Sequence, residues 1–167
     1  MSNRAELLER VIAESRRHYA AYTLFNQALA DRLGLHPTDV QCLSLLDLEE
    51  EPLSTGEIAR LTGLTPGSAT RLVDRLEKAG LVVRCADPGD RRRTLVTLAS
   101  DPTAEVGREW DVPGQAFGEV LERYTDDELT VIGDYLCRTA KVGREQAVRL
   151  ARSGACADLG SRRTASS

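Results

Sequence analysis

The chain is 167 residues long, 41% apolar and 29% charged, with a formal net charge of −4 at pH 7. That length supports one ordinary domain with a real core, and the acidic balance excludes indiscriminate attraction of the whole surface to nucleic acid. Two histidines, no Gly-rich phosphate loop, no Gly-x-Ser-x-Gly, and four cysteines (Cys42, Cys85, Cys137, Cys156) without a CxxC pair leave no pattern for an enzyme, a metal or a cofactor.

At the N-terminus, Arg4, Glu6, Glu9 and Arg10 interrupt any apolar run, so nothing reads as a signal peptide. No stretch approaches the roughly 18 apolar residues of a membrane span. The expectation is a cytoplasmic chain with reduced thiols and no membrane partner. Residues 5–33 carry Leu7, Leu8, Val11, Ile12, Tyr19, Tyr22, Phe25 and Leu29 at spacings of three and four, which predicts a long helix. Gly34 to Pro37 breaks it. A second helix follows over 37–48, with Val40, Leu43, Leu45 and Leu46 as core candidates, and Glu49-Glu50-Glu51-Pro52 ends it.

The most informative stretch comes next. Ser54-x-x-Glu57 is a capping box, and Gly63 is a helix stop. Thr65-Pro66 pairs an N-cap with proline at the first helical position. The helix it opens carries Ala69, Leu72, Val73 and Leu76 inward and ends at Lys78-Ala79-Gly80. Residues 81–86 and 94–98 read as strands around the turn Asp87-Pro88-Gly89-Asp90 and three arginines, Arg91, Arg92 and Arg93. A helix pair followed by a basic hairpin is a winged helix-turn-helix, whose second helix reads DNA while the wing grips the flanking backbone.

The charge is distributed accordingly. From Arg60 to Arg93 stand eight basic residues (Arg60, Arg71, Arg75, Lys78, Arg84, Arg91, Arg92, Arg93) and four acidic ones (Asp74, Glu77, Asp87, Asp90). This window is therefore +4 in a chain of net −4, and the remainder is −8. A basic reading head on an acidic body suits local contacts to double-stranded DNA.

Beyond the wing, Asp101-Pro102 opens another helix, which Val112-Pro113-Gly114 is expected to kink or interrupt before it resumes over 115–123. Thr125-x-x-Glu128 is a second capping box. It opens a last helix to about Arg152, and residues 153–167, rich in Ser, Gly, Ala and Arg, read as a disordered tail. The first and last helices both carry apolar stripes that one small winged domain cannot cover, so a homodimer is expected. The predicted architecture is mainly α with a small β-hairpin wing. An N-terminal dimerisation helix (1–34), a winged helix-turn-helix (35–100) and C-terminal dimerisation helices (101–152) precede the tail.

The run Leu-Thr-Pro-Gly-Ser-Ala-Thr-Arg-Leu-Val-Asp-Arg-Leu-Glu-Lys-Ala-Gly-Leu-Val over 64–82, with Asp-Pro-Gly-Asp-Arg-Arg-Arg-Thr-Leu-Val-Thr-Leu over 87–98, resembles the MarR family of bacterial transcriptional regulators. The family's Asp-x-Arg step before a Leu-x-Leu strand is met by Asp90, Arg92, Val96 and Leu98. Its usual Leu-Thr-small sequence after the wing is replaced by Leu98-Ala99-Ser100. The resemblance extends from about Leu7 to Leu150. It implies a homodimeric repressor or activator that many members release from DNA when a small aromatic or phenolic ligand, or an oxidant, reaches a site between dimer helices and winged domain.

The outer face of the second short helix holds Pro66, Gly67, Ser68, Thr70, Arg71 and Arg75. Of these, Ser68, Thr70 and Arg71 are the candidates for base edges, and Thr65 for a phosphate at the helix N-terminus. Arg92 is the wing-tip candidate for the minor groove, Arg91 and Arg93 for phosphates, and Asp90 for orienting a neighbouring guanidinium. Tyr19, Tyr22, Phe25, Cys42, Trp110 and Phe117 are candidate linings for an effector pocket, with core or dimer interface as the plainer use of the aromatic stripe. His36 reads as a helix-start residue. Two other uses stay open. One is a winged-helix protein-interaction adaptor. The other is a thiol-based redox regulator, for which Cys42 sits in an apolar stretch and only Cys85 has an electropositive neighbour, Arg84.

Overall fold

The computed structural model describes residues 3–49, 51–90, 93–100 and 104–163, with the backbone alone at 104–108, 110 and 152–163. In chain order the elements are α1 (Asn3–Leu33), α2 (Pro37–Leu48), β1 (Leu53–Ser54), α3 (Thr55–Thr62), α4 (Pro66–Lys78), β2 (Val82–Ala86), β3 (Thr94–Leu98), α5 (Ala104–Leu121) and α6 (Asp126–Arg163). They fall into two compact units, residues 1–112 and 113–167.

The three strands form an antiparallel sheet of order β1-β3-β2. Arg84 pairs with Val96 on one edge of β3, and Leu53 pairs with the same Val96 on the other. The wing hairpin is as expected from sequence; β1 is an addition. Its two residues have no periodicity to read, and it exists because β3 offers an open edge to the chain entering α3.

Helix starts follow the capping residues. Ser54 Oγ accepts from the Glu57 backbone N–H, and Glu57 Oε2 accepts from the Ser54 backbone N–H at 2.8 Å. Thr65 Oγ1 accepts from the Ser68 N–H ahead of Pro66. His36 caps α2: its Nδ1 accepts from the Thr38 N–H, and Asp39 Oδ2 accepts from the His36 N–H.

Helix ends follow one repeated device. α1, α3 and α4 each stop at a Gly-Leu pair: Gly34-Leu35, Gly63-Leu64 and Gly80-Leu81. Each glycine has φ between +66° and +72°, which a side chain would strain. Each following leucine donates its N–H five residues back, to Ala30, Ala59 and Leu76 respectively. The leucine side chain then turns inward, so the stop signal also supplies core.

That core lies between α2, α3, α4 and the sheet. It comprises Cys42, Leu46, Ile58, Leu72, Val73, Leu76, Leu81, Val82 and Val96. Burying a Leu, Ile or Val fully contributes about 1.5–3 kcal/mol, so these side chains hold the winged unit together. A smaller cluster of Leu29, Ala30 and Val40, with Phe25 and Leu35 against it, docks the end of α1 on α2.

Beyond the wing, two expectations are corrected, the interruption of the helix at Pro113 and the disordered tail. α5 runs without interruption from Ala104 to Leu121 with Pro113 inside it. Proline removes one rung of the helical ladder, and the rungs on either side are sufficient to carry the helix past it. α6 does not stop at Arg152 but continues to Arg163, displacing most of the expected tail; residues 164–167 lie outside the described residues. Nothing in Ser153–Arg163 breaks a helix sharply: the stretch has no proline and contains Ala, Leu and Arg, all helix formers.

Candidate nucleic-acid interface

The inward face of α4 fixes what its outward face can present. Ala69, Leu72, Val73 and Leu76 are completely buried, so the helix has one rotational setting about its axis. On the opposite face Thr65, Pro66, Gly67, Thr70 and Arg71 are exposed and Ser68 is half-buried. Thr65 Oγ1 donates to Ser68 Oγ at 3.0 Å, and Arg71 Nη2 donates to the same Ser68 Oγ at 3.3 Å. Three candidate contact residues thus form one polar chain along the first two turns. Thr70 lies beside it, its hydroxyl donating to the Pro66 carbonyl at 3.0 Å.

Arg75 behaves differently from the rest of its face. Its Nη2 donates to Asp39 Oδ1 at 2.6 Å and its Nε to Asp39 Oδ2 at 3.3 Å, a forked pair with a carboxylate on α2. That hydrogen bond raises the Arg75 pKa above its ordinary value. The acids of α4 are also engaged. Arg84 on β2 donates to Asp74 Oδ1 at 2.6 Å and to Glu77 Oε2, tying the wing to the helix. Sequence reasoning missed both ties, because the partners stand 36, 10 and 7 residues apart and share no helical or strand period.

At the wing, Asp87 Oδ1 accepts from the backbone N–H groups of Gly89 and Asp90, an Asx turn that shapes the loop. Arg93 lies 3.5 Å from Asp87 Oδ2 and 3.7 Å from Glu57 Oε2. These two carboxylates face Arg93. Arg91 and Arg92, and with them the expected orientation of Arg92 by Asp90, lie outside the described residues. The hydrogen bond from the Ser54 side chain, ahead of that from its backbone, holds Glu57 below the usual carboxylate range.

A shallow cleft of about 510 Å³ opens where the α1–α2 turn meets α4, lined by Gly34, His36, Thr38, Asp39, Leu64, Ser68, Arg71 and Arg75. Tyr19, Tyr22, Phe25 and Cys42, expected to line an effector pocket, are not among its described lining residues. The Tyr22 and Phe25 rings meet on α1 at 5.9 Å in a tilted arrangement, Tyr19 is exposed, and the Trp110 side chain lies outside the described residues. Phe117 belongs to the second unit. Cys42 is walled into the winged core, where burial, then Asp39, pushes its thiol up to about 11. A thiol held protonated in this way is suited to packing rather than to nucleophilic chemistry. Cys85 is half-buried with its thiol toward the Leu95 carbonyl. Among the described residues no His/Cys/Asp/Glu cluster could hold a metal, and no helix is long and apolar enough to cross a membrane.

A capped helix pair on a packed core, a three-stranded wing and a polar outward helix face define a winged helix-turn-helix DNA-binding protein. Comparison with known proteins narrows the class. The MarR family model matches residues 33–93. The uncharacterized HTH-type transcriptional regulator YcgE of Bacillus subtilis is 35% identical over 149 residues, 89% of this chain and 96% of that protein. Among solved structures, NadR in complex with 4-hydroxyphenylacetate is similar at 25% identity and a TM-score of 0.60, over 79% of this chain and 93% of that one. BldR from Sulfolobus solfataricus is similar at 26% identity and a TM-score of 0.57, over 83% and 99%. The chain belongs to the MarR family of transcriptional regulators.

Proposed function

We propose that the protein is a cytoplasmic homodimeric repressor that reads a pseudo-palindromic operator and leaves it when a small aromatic ligand binds. The observation that carries the DNA reading is the outward face of α4, where Thr65, Ser68 and Arg71 are linked in one chain on a helix whose other face is fully buried. In this reading Arg71 contacts a guanine edge, Ser68 and Thr70 contact neighbouring bases, and Thr65 with Pro66 and Gly67 brings the helix N-terminus to a phosphate. The wing arginines Arg91, Arg92 and Arg93 contribute backbone and minor-groove contacts.

The dimer is supported by apolar surface without cover in the single chain. Leu7, Leu8, Val11 and Ile12 on α1 are about half exposed, as are Val120 and Leu121 at the end of α5 and Leu136 and Val142 on α6. Two-fold pairing through such helices sets two copies of α4 about one DNA turn apart. The aromatic effector is supported by NadR, solved with 4-hydroxyphenylacetate, and by the Tyr19, Tyr22 and Phe25 stripe.

Selection of genomic fragments by the purified protein, followed by a salt titration on the best fragment, tests the reading. A short inverted repeat whose affinity falls steeply with salt is expected. Absence of any enriched sequence overturns the operator reading. Titrating 4-hydroxyphenylacetate into the complex tests the effector class, and a complex that survives saturating ligand removes that compound as the effector.

A further inference from the structure

Asp39 is the one buried charged residue among the described residues, with 3% of its side chain exposed, and its partner Arg75 is 52% exposed. A carboxylate is not placed in that setting for folding alone: a buried ion pair is often no more stable than apolar side chains of the same volume. What the pair specifies is geometry. Asp39 Oδ2 is held by the His36 backbone N–H at the start of α2, and the same carboxylate receives the fork of Arg75. Arg75 stands one helical turn beyond Arg71 on the same face of α4. The buried face of α4 fixes its rotation, and the grip on Arg75 ties that outward face to the start of α2, which fixes where Arg71 and Ser68 are presented relative to α2.

Resting on the DNA-reading function proposed above, we infer that Asp39 is a positioning residue for DNA recognition, acting through Arg75, and that Arg75 is its anchor rather than a phosphate ligand. This reassigns Arg75 from the contact set that the sequence suggests. It also makes a prediction against simple electrostatics, since removing an acid near DNA ordinarily tightens binding.

The test uses the full chain and the selected operator across a salt series. Asp39→Asn is expected to weaken binding about tenfold, with the slope of affinity against salt unchanged and base preference broadened at the Arg71 position. Arg75→Lys keeps the charge but loses the fork, and it should weaken binding to a similar degree. The double variant should be no worse than either single one, because both remove the same tie. Thermal melting accompanies each variant; should Asp39→Asn fail to fold, Arg75→Lys decides alone. Unchanged or tighter binding by a folded Asp39→Asn overturns the inference. So does full affinity in Arg75→Lys, or a slope lowered by about 0.9 for each Arg75 removed in Arg75→Ala, the signature of a lost phosphate contact. Absence of specific binding by the wild-type chain overturns the DNA-reading itself, and this inference falls with it.

Discussion

The winged region and the C-terminal unit solve the burial problem in opposite ways. Between Pro37 and Leu98, four inward residues of α4 are wholly buried, and nearly every turn of helix sends a side chain into one core. Over residues 113–151 no described side chain is buried: Leu129 and Ile132 are half-buried, while Val131 and Leu150 are more than three-fifths exposed. The first region carries the means of its own folding. The second has the length and the N-terminal cap of a stable helix while its described apolar side chains stay largely exposed, a condition that a second copy of the chain would relieve.

The strongest way to break that contrast is to remove residues 125–167. The shortened chain should lose the dimer and its tight operator binding yet still melt cooperatively; sedimentation showing an intact dimer would place the interface elsewhere. Next in size is Leu72→Ala, which opens a cavity in the winged core and should cost about 2–5 kcal/mol of stability by chemical denaturation. The matching change in the other unit, Val131→Ala, should cost little in the monomer, because that side chain is already 69% exposed. Arg71→Ala should leave stability alone and lose about 1–3 kcal/mol of operator affinity, with relaxed preference at one base pair per half-site.

Ser54→Ala removes one cap and should cost about 1 kcal/mol. Its partner adds a pH dependence. Glu57 has a lowered folded pKa, so its contribution is fully present above the ordinary glutamate pKa and fades as pH falls through the lower folded value. Glu57→Gln should flatten stability over that acid range, and an unchanged acid limb would show that another group controls it.

How much was legible in the sequence divides along the same line. Ser54, Gly63, Thr65, Pro66 and Gly80 act within a few residues of themselves, so their roles could be read directly and each bounds the element expected of it. His36 likewise caps the helix it adjoins. The Asp39–Arg75 fork, the Arg84 pairs and β1 depend on residues that only folding brings together, and no local pattern encodes them. Pro113 and residues 153–163 misled for a further reason. Proline, glycine and serine weaken a helix, but whether they end it depends on the turns around them.

The closed base of the wing carries a consequence for divergence among relatives. The Asp87 N–H donates to the Arg93 carbonyl at 3.2 Å, just outside the last paired residues Ala86 and Thr94. Pro88, Gly89 and Asp90 lie inside that clasp and outside the strand register. Residues inserted or deleted there leave the sheet and its core contacts untouched. On the proposed function, the loop is a place where the reach of the wing toward DNA can change with little effect on the folded core.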